Sequence, residues 1–576
     1  MSFPIFTLLN INNSSFLNKN EFKILSIGSE SINNCDYITI GFITLIFKGY
    51  IYNFNELIDI IQNTSLEIEK NNKDYEIIIH LYNKYGIQYT LSLLQGSFAF
   101  ILFDNNYYKD GSKMYVARDP FGIEPLYIYN TIDGPSSEHV INEMSFYYEP
   151  TTTVQPTIFA FSSNLRQLSE FSKLLNKQNC IKQFPPGHYN EYSFSYKVLS
   201  YWKEDNFIKY YNFPTTQIIP KSVTVNDIKV NTNHTLYNIC NNLIDVIKKQ
   251  VNSKSCRHIG CLLSGGLDSS IISAILNEYC IGNSIQLETF SIGFLGSDDL
   301  KYAKIVSEYL RTKHTEIIIT EKEYFRATEQ TIKILGTYDT ITVRSGIPNY
   351  LINEWIIKNS NIQLLFTGDG ADELMGGHLY LHMAKNEIDF DNNCKELLNN
   401  IHHFDVLRSS KCATSSIQIC MPFLDPIFVQ NYLSIPLNFR YRYENKYNEK
   451  FLLRMAFSKE NSLNMYSKPW LPDEILYRTK EEFSDGLSPP NKKTAKIITD
   501  FTNTLNLDIK QCKKYAHNRP NTIEKLFYRE IFEKYYPNLG NILPFMWMPQ
   551  FIDTSEPSPR SSGIYNEYIF WKNNNI

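Results

Sequence analysis

Residues His258–Ser270 read H-I-G-C-L-L-S-G-G-L-D-S-S, and this stretch decides the fold of the chain around it. An apolar run, Ile259–Leu263, leads into a glycine turn, and a helical pattern follows over Ser269–Tyr279. Glycines let a backbone approach phosphates closely, and the N–H groups at a helix start supply an anion site. The stretch therefore predicts a strand, a phosphate-binding loop and a helix, in that order.

The chemistry of this loop is narrowed by what it lacks. It has no Gly-Lys-Ser/Thr ending, which serves hydrolysis between the β- and γ-phosphates. Without that lysine, a loop of this kind can hold a pyrophosphate leaving group while the α-phosphorus is attacked. Asp268 is suited to carry Mg²⁺, because magnesium sites favour one or two carboxylates plus phosphate oxygens. A plain turn with Asp268 as a helix cap is the alternative, and the flanking strand and helix favour the functional interpretation.

Beyond the loop, predicted strands and helices alternate, which indicates a parallel α/β domain with ligands at the carboxyl ends of its strands. From about Glu387 onward the pattern is mainly helical. The predicted strands are Thr289–Phe294, Thr315–Thr320 and Gln363–Phe366, and the predicted helices include Leu300–Leu310 and Ile347–Ile357.

A second group of polar residues, Thr367–Glu373, reads T-G-D-G-A-D-E and follows an apolar strand. Three carboxylates on one glycine-rich turn repel each other unless cations or a cationic ligand are present. An acidic surface turn is the alternative, and it is the less favoured one beside the glycine loop.

The first two hundred residues are strand-rich, with one helical pattern over Asp74–Tyr85. Asp133–Pro156 is predicted to be a loop or insertion, and Lys203–Thr235, which contains two prolines, is the best linker candidate. The predicted strands are Ile38–Phe47, Phe98–Phe103, Met114–Ala117 and Leu126–Tyr129.

Composition limits the class of protein. A chain of 576 residues, 43% hydrophobic and 20% charged, fits two large globular domains. The net charge of -4 with interspersed signs argues against a nucleic-acid or membrane surface. No secretory signal is expected, and the ten cysteines show no metal-binding spacing. We expect reduced cysteines and a cytoplasmic protein.

The loop resembles the pyrophosphate loop of the N-type ATP pyrophosphatases, and its neighbours narrow the resemblance to the asparagine synthetases. In order and spacing the resemblance extends from about Leu236 to Arg560. The segments that carry it are Phe290–Gly293, Ser297–Lys301, Tyr338–Arg344, Thr367–Glu373, Tyr380–His382, Asp405–Arg408, Pro422–Asp425, Arg478–Gly486 and Trp547–Pro549.

The resemblance implies ATP and Mg²⁺ as cofactors, with Asp268 and Asp372 on the metal and Lys480 on the transferring phosphate. Plain core positions for Leu262 and Ile292, and a surface position for Lys480, are the alternatives. The residues expected to contact the nucleotide are Leu262, Ser264, Gly265, Gly266, Asp268, Ser269, Ile292, Thr367 and Gly368.

Asp369 stands where the family usually has a glutamate that is linked to formation of β-aspartyl-AMP. The shorter side chain keeps the charge and moves it by about one methylene. Arg344 and Arg408 are candidates for holding the substrate carboxylates, because a guanidinium fork suits them, and structural ion pairs are the alternative. Two further departures, Cys420 for an arginine and Gly336 for a glutamate, put the ammonia path or substrate contacts in question.

The amino-terminal half resembles a class II glutamine amidotransferase, which implies an N-terminal-nucleophile fold. The segments that carry this resemblance are Gly49–Asn53, Asp74–Tyr82, Gly96–Phe100, Ala117–Gly122 and Pro186–Tyr189.

The chemistry of that half is expected to be lost. Ser2 stands where the nucleophilic cysteine belongs, unless the true start lies upstream, and the H-R-G-P-D run is absent around Ile27–Glu30. The N-G-E oxyanion element reads Lys48-Gly49-Tyr50. Asp74 remains, and it matches a residue that binds the glutamine amine.

The sequence therefore predicts an N-terminal-nucleophile α+β sandwich, a parallel-sheet α/β ATP-pyrophosphatase domain and a helical carboxyl-terminal part. The predicted boundaries are 1–205, a linker at 206–235, 236–560 and a tail at 561–576. The predicted reaction converts L-aspartate to L-asparagine with ATP, and its nitrogen comes from ammonia or, as a second choice, from glutamine. A synthetase for another carboxylate or amine, as in the β-lactam synthetases, and a catalytically weak pseudo-synthetase are the alternatives. The sequence does not decide the oligomeric state, and a homodimer is retained as a hypothesis.

Overall fold

The protein combines an antiparallel two-sheet part with a parallel α/β part. The computed structural model describes residues 6–9, 36–61, 74–105, 111–131, 158–175, 180–195, 201–218, 225–253, 256–413, 417–441, 449–459 and 469–575. Among the helices in these ranges, none has the length and apolar character needed to cross a membrane.

In the described ranges, the amino-terminal part contains ten strands and four helices. The strands are β1 (Phe6–Leu9), β2 (Asp36–Ile40), β3 (Ile43–Ile51), β4 (Gly96–Asp104), β5 (Lys113–Arg118), β6 (Tyr127–Asn130), β7 (Phe159–Ser162), β8 (Ile181–Gln183), β9 (His188–Ser195) and β10 (Tyr201–Lys209). The helices are α1 (Phe54–Ile61), α2 (Glu76–Tyr85), α3 (Ile87–Leu93) and α4 (Leu165–Leu174). Hydrogen bonds order the strands as β1-β7-β6-β8 in one sheet and β10-β9-β5-β4-β3-β2 in the other.

Strand β4 shows why the two sheets stack. Side chains alternate across a strand, and both faces of β4 are apolar. Phe98 and Phe100 pack in the core shared with α1 and α2, whereas Ile101 and Phe103 pack in the core shared with β7. A strand buried on both faces lies inside a layered structure, and the predicted α+β sandwich is confirmed.

One strand predicted from the sequence is two strands in the structure. Ile38–Phe47 forms the end of β2 and the start of β3, which pair as an antiparallel hairpin with Ile40 opposite Ile43. Gly41 has a φ of +58° at the turn, a conformation that glycine adopts without steric cost. Apolar residues on both sides of Gly41 and Phe42 concealed the turn, because the run lacks the polar residues that usually mark a hairpin loop.

A five-stranded parallel sheet organises the second part. Its strands are β11 (Ile259–Leu262), β12 (Glu288–Phe294), β13 (Lys313–Ile319), β14 (Leu364–Phe366) and β15 (Gln418–Cys420), ordered β13-β12-β11-β14-β15. The helices that accompany it are α5 (Val225–Asn252), α6 (Leu267–Gly282), α7 (Asp298–Leu310), α8 (Glu321–Leu335) and α9 (Thr340–Asn359). The predicted parallel α/β fold is confirmed. Strand β15 was missed, since it lies in the stretch predicted to be mainly helical.

The order of the strands creates a crevice. The chain moves outward from β11 to β12 and β13, and then returns to the other side of β11 to form β14. A reversal of this kind is the topological switch point at which open α/β sheets bind ligands. The loops that leave β11 and β14 are the two polar turns singled out by the sequence.

Short helices complete the carboxyl-terminal region. They are α10 (Ala371–Met375), α11 (Glu387–Asn400), α12 (Asp405–Cys412), α13 (Pro426–Leu433), α14 (Leu437–Arg440), α15 (Phe451–Ala456), α16 (Asp473–Leu476), α17 (Phe483–Gly486), α18 (Thr494–Thr504), α19 (Ile523–Tyr535), α20 (Pro559–Ser562) and α21 (Ile564–Asn575). In the segment predicted as a linker, β10 extends to Lys209 and α5 begins at Val225.

Candidate functional site

A deep cavity opens at the carboxyl ends of β11 and β14. Most residues that the sequence singled out line it, as the strand order requires. Those residues are Leu262, Ser264, Gly266, Asp268, Ser269, Ile292, Thr367, Gly368, Asp369, Asp372, Arg408 and Lys480.

The glycine loop is shaped by close backbone contacts. Gly265 has a φ of +69°, and a Cβ there would collide with the backbone of Tyr302 on α7. In the loop, the Ser264 and Ser269 hydroxyl oxygens lie 3.1 Å apart, and the backbone N–H of Gly266 donates to Ser264 Oγ at 3.3 Å. Helix α6 then begins at Leu267 and points its amino end at the cavity, which favours an anion there.

The two turns meet at Gly368. A Cβ at this position would lie 2.9 Å from the Cβ of Asp268, and 3.0 Å from the backbone nitrogen of Ser269. A side chain on residue 368 would therefore push the second turn away from the first. This close approach brings Asp268 and Asp372 to the same ammonium group.

That ammonium group belongs to Lys450, which the sequence did not single out. Its Nζ donates to Asp268 Oδ2 and to Asp372 Oδ1, both at 2.6 Å, and its side chain is 1% exposed. Lys480 approaches the other oxygen of Asp372, with Nζ 2.7 Å from Oδ2. Two carboxylates and two lysines thus alternate along one wall of the cavity.

Burial and neighbouring charges oppose each other in this cluster. Burial alone would raise the pKa of Asp372. The positive charges of Lys450 and Lys480 outweigh this effect, so the pKa lies well below its usual range. Burial would lower the pKa of Lys480, and the Asp372 and Glu482 carboxylates hold it well above the ordinary value. The pKa of Asp268 is raised by burial, partly offset by Lys450. Within the described residues, Asp268 Oδ1 is buried and accepts no hydrogen bond.

A buried histidine extends the cluster away from the sheet. His378 Nδ1 lies 3.0 Å from Glu482 Oε1, and His378 Nε2 lies 3.3 Å from Glu373 Oε1. Burial would lower the pKa of His378, and the two glutamates raise it well above its usual value. Glu482 thereby connects the histidine to Lys480, whose Nζ is 3.7 Å from Glu482 Oε2. The charges of the site are arranged in one connected network.

Asp369 faces the same cavity from the turn after β14. Its Oδ2 accepts hydrogen bonds from the hydroxyls of Thr367 and Ser409, both at 2.7 Å, and its Oδ1 accepts one from Arg408 Nη2 at 3.0 Å. Arg408 also contacts Asp405, with Nε 3.1 Å from Oδ1. Arg408 is therefore both a cavity residue and a member of an ion pair, and its contact with a substrate carboxylate stays a prediction.

Arg344 lies outside the cavity, and its predicted contact with the substrate carboxylates is wrong. Its guanidinium pairs with Glu524 and Glu556, with N–O distances of 2.6 Å to each. The side chain is 2% exposed and does not line the cavity. Its donors are occupied by two carboxylates of the chain itself, so the structural ion pair is the correct interpretation.

The two other departures from the family pattern lie outside the charge cluster. Gly336 ends α8 with a φ of +66°, and a Cβ there would lie 2.7 Å from Leu165 Cδ2 of the amino-terminal part. Cys420 ends β15, and its carbonyl accepts a hydrogen bond from the Thr367 N–H at 3.0 Å. Gly336 thus serves a helix end at the contact between the two parts, and Cys420 supports the second polar turn through its backbone.

In the amino-terminal part, the position of the oxyanion element is occupied by an ion pair. Lys48 Nζ lies 3.1 Å from Glu124 Oε2. Asp74 Oδ2 accepts the backbone N–H of Ile51 at 3.2 Å, and its contact with a glutamine amine stays a prediction. Ser2 and residues 27–30, on which the predicted loss of glutamine chemistry depends, lie outside the described residues.

Lys450, His378 and Ser409 were not found from the sequence. Lys450 and Ser409 reach the site from parts of the chain far from the two polar turns, whereas His378 follows Glu373 of the second turn by five residues. The signal that existed was electrostatic, because three clustered carboxylates require cations. That requirement predicts positive partners without giving their positions.

A glycine loop, an opposing acidic turn and two lysines at the edge of a parallel sheet define a nucleotide-binding α/β class of protein. Residues 241–398 and 389–542 match the family model described as asparagine synthase, and residues 38–136 match a glutamine amidotransferase domain. These matches cover both parts of the fold.

Named relatives extend the likeness over nearly the whole chain. The glutamine-hydrolyzing asparagine synthetase of Gallus gallus is 33% identical over 538 residues, which are 92% of this chain and 88% of that protein. The Homo sapiens protein of the same name is 31% identical over 540 residues, with the same coverage of 92% and 88%. The chain belongs to the asparagine synthetase family.

Proposed function

We propose that the protein is an ATP-dependent, AMP-forming asparagine synthetase that activates L-aspartate as its β-aspartyl adenylate. The observation that carries the proposal is the alternating cluster of Asp268, Lys450, Asp372 and Lys480 beside the glycine loop. Such a cluster suits a ligand that carries negative phosphates and, with them, a cation.

In the first step, a β-carboxylate oxygen of aspartate attacks the α-phosphorus of ATP, and the bond to pyrophosphate breaks. In the second step, ammonia attacks the β-carbonyl carbon, its extra proton is lost, and AMP leaves with the bridging oxygen. Lys480 stabilises negative charge on the α-phosphate that is transferred to aspartate, and Lys450 stabilises it on the departing pyrophosphate. The backbone of Ser264–Ser269 and the amino end of α6 hold that pyrophosphate in place.

Mg²⁺ fits this site by the chemistry of its donors. Asp268 and Asp372 supply carboxylate oxygens on opposite turns, and the buried Asp268 Oδ1 has no hydrogen-bond partner among the described residues. We assign both carboxylates to Mg²⁺, which when bound neutralises charge on the phosphates. Lys450 donates a hydrogen bond to each of these two carboxylates.

Leu262 and Ile292 offer an apolar wall at the ends of β11 and β12, which suits a nucleotide base. We place the base against them and the ribose phosphates toward Thr367 and Gly368. The carboxylates of aspartate are assigned to the side of the cavity that Arg408 lines.

The proposed nitrogen source is free ammonia. Lys48 carries a positive charge where an asparagine would stabilise an oxyanion, and its pairing with Glu124 occupies that position. The missing carboxylate anchor around Ile27–Glu30 supports the same proposal from the sequence. A reducing compartment such as the cytoplasm is the proposed location, since seven of the described cysteines are free thiols: Cys240, Cys256, Cys261, Cys280, Cys394, Cys412 and Cys512.

Exchange of labelled pyrophosphate into ATP tests the first step. Purified protein with Mg-ATP is expected to exchange label when L-aspartate is present and not without it. Exchange that requires a different carboxylate would support the β-lactam-synthetase-like alternative. Absence of exchange with any carboxylate would favour the pseudo-synthetase and defeat the proposal.

A further inference from the structure

The carboxylate of Asp369 is fixed by side chains from two separate elements. Thr367 lies on the same turn, two residues away, and Ser409 and Arg408 lie on helix α12. Oδ2 accepts two hydroxyl donors at 2.7 Å, and Oδ1 accepts a guanidinium donor at 3.0 Å. A carboxylate has about four acceptor sites, so these donors use three of them.

The hydroxyl group of Ser409 is oriented by neighbouring side chains. Its side chain is buried, and its Oγ receives Asn349 Nδ2 at 3.3 Å and Arg408 Nη1 at 3.4 Å. A serine hydroxyl has one proton and two lone pairs. Because two donors approach its oxygen, the hydroxyl proton is directed to Asp369.

The hydrogen bond from Ser409 matters because the side chain of residue 369 is short. The family resemblance implies a glutamate at this position, and an aspartate carboxylate starts one methylene closer to its own backbone. A displacement of about 1 Å is enough to impair a reacting group. We propose that Ser409 is a positioning residue that holds the short Asp369 side chain in its working orientation toward the cavity.

This inference rests on the proposed function, since it assigns Asp369 a part in forming the adenylate. It predicts that Ser409 matters because residue 369 is short. A glutamate at 369 would carry its carboxylate beyond the Ser409 hydroxyl and no longer depend on that hydrogen bond. The effects of substitutions at the two positions must therefore be coupled.

The experiment measures aspartate-dependent pyrophosphate exchange for Ser409→Ala in the native and Asp369→Glu backgrounds. In the native background we expect kcat to fall about tenfold, with KM for ATP changed by less than about twofold. In the Asp369→Glu background the same substitution is expected to cost less than about twofold. Ser410→Ala is the matched control, because the neighbouring Ser410 hydroxyl has no hydrogen-bond partner among the described residues.

Equal losses in both backgrounds would show that Ser409 serves only the fold and would overturn the inference, as would an unaffected Ser409→Ala protein. Crystal structures of the unliganded native and Ser409→Ala proteins give a second readout that needs no turnover. The Asp369 carboxylate is expected to leave its position when the hydroxyl is removed, and an unmoved carboxylate contradicts the proposal. If the native protein shows no exchange, the proposed function fails, and the crystal structures still decide whether Ser409 positions Asp369.

Discussion

At the scale of single residues, the site is built on charges that balance one another. Asp268 and Asp372 come from turns about a hundred residues apart, and one buried ammonium group, that of Lys450, contacts both. An unpaired buried charge is costly, so neither carboxylate would be stable there alone. The arrangement keeps both carboxylates ready for a cation and phosphates while the protein remains folded.

Asp268→Asn tests the role of this carboxylate without changing the size of the side chain. We expect aspartate-dependent pyrophosphate exchange to fall by about 100-fold or more, because a metal ligand and a negative charge are lost together. Exchange rates over a Mg²⁺ titration provide the measurement. Asp473→Asn, which alters an exposed ion pair with Lys459, is the control and should leave the rate unchanged. An active Asp268→Asn protein would remove Asp268 from the metal site.

At the scale of elements, the sequence predicted the two polar turns but not which charged side chains form ion pairs. The two polar turns could be predicted because glycines and carboxylates are adjacent in the chain, and strand order then brought both to one edge. Arg344 could not be assigned in this way. Its partners Glu524 and Glu556 lie more than a hundred residues further along, and nothing local indicates that α19 packs beside α9.

Arg344→Met tests whether this arginine serves structure. Removing it leaves the buried Glu524 and the half-buried Glu556 carboxylates without their cation, so we expect the free energy of unfolding to fall by about 3–5 kcal/mol. Chemical denaturation gives that quantity, and KM for aspartate measured on the folded protein should stay within about twofold. Arg166→Met breaks an exposed pair with Glu170 and should cost less than about 1 kcal/mol. A stable variant with a much higher KM would restore Arg344 to the substrate site.

At the scale of the whole molecule, polar contacts join the two parts of the chain. Lys249 on α5 donates to Gln95 at 2.5 Å and to Asp425 at 2.7 Å, and Lys411 on α12 donates to the Ser163 carbonyl at 2.8 Å. Lys411 also lies over the ring of Tyr127, with Nζ 5.1 Å from its centroid. The amino-terminal part is thus packed against the helix that carries Arg408 and Ser409, whatever its own chemistry.

The Lys411 ammonium at this contact gives the stability a pH dependence. Burial, Lys48 and Arg118 lower the pKa of Lys411 from 10.5 to about 7, and Glu124 opposes them. Between these values the unfolded chain binds the proton and the folded chain does not, so this group makes the free energy of unfolding rise with pH.

Lys411→Met removes that contribution. Between about pH 6.5 and about pH 8.5, we expect the free energy of unfolding of the native protein to rise by about 2 kcal/mol more than that of the variant. Denaturation at both pH values measures the difference, and the exposed Lys496→Met is the control that should show no such trend. A difference independent of pH would mean that Lys411 stays protonated in the folded protein.

The fold as a whole could be predicted from the sequence, because alternating patterns, the glycine loop and the order of motifs all indicated the same architecture. The hairpin within residues 38–47 and strand β15 were not predicted, since a two-residue turn and a three-residue strand leave little periodicity. Lys450 and Ser409 could not be predicted for another reason, because only tertiary packing brings them to Asp268 and Asp369.

Transfer of oxygen from aspartate to AMP tests the central claim most directly. The protein is incubated with Mg-ATP, ammonium and L-aspartate labelled with ¹⁸O in its β-carboxylate, and AMP is analysed by mass spectrometry. Attack of the carboxylate on the α-phosphorus predicts one ¹⁸O atom in each AMP, with asparagine formed in equal amount. Asparagine accompanied by unlabelled AMP, or ADP in place of AMP, would contradict the account.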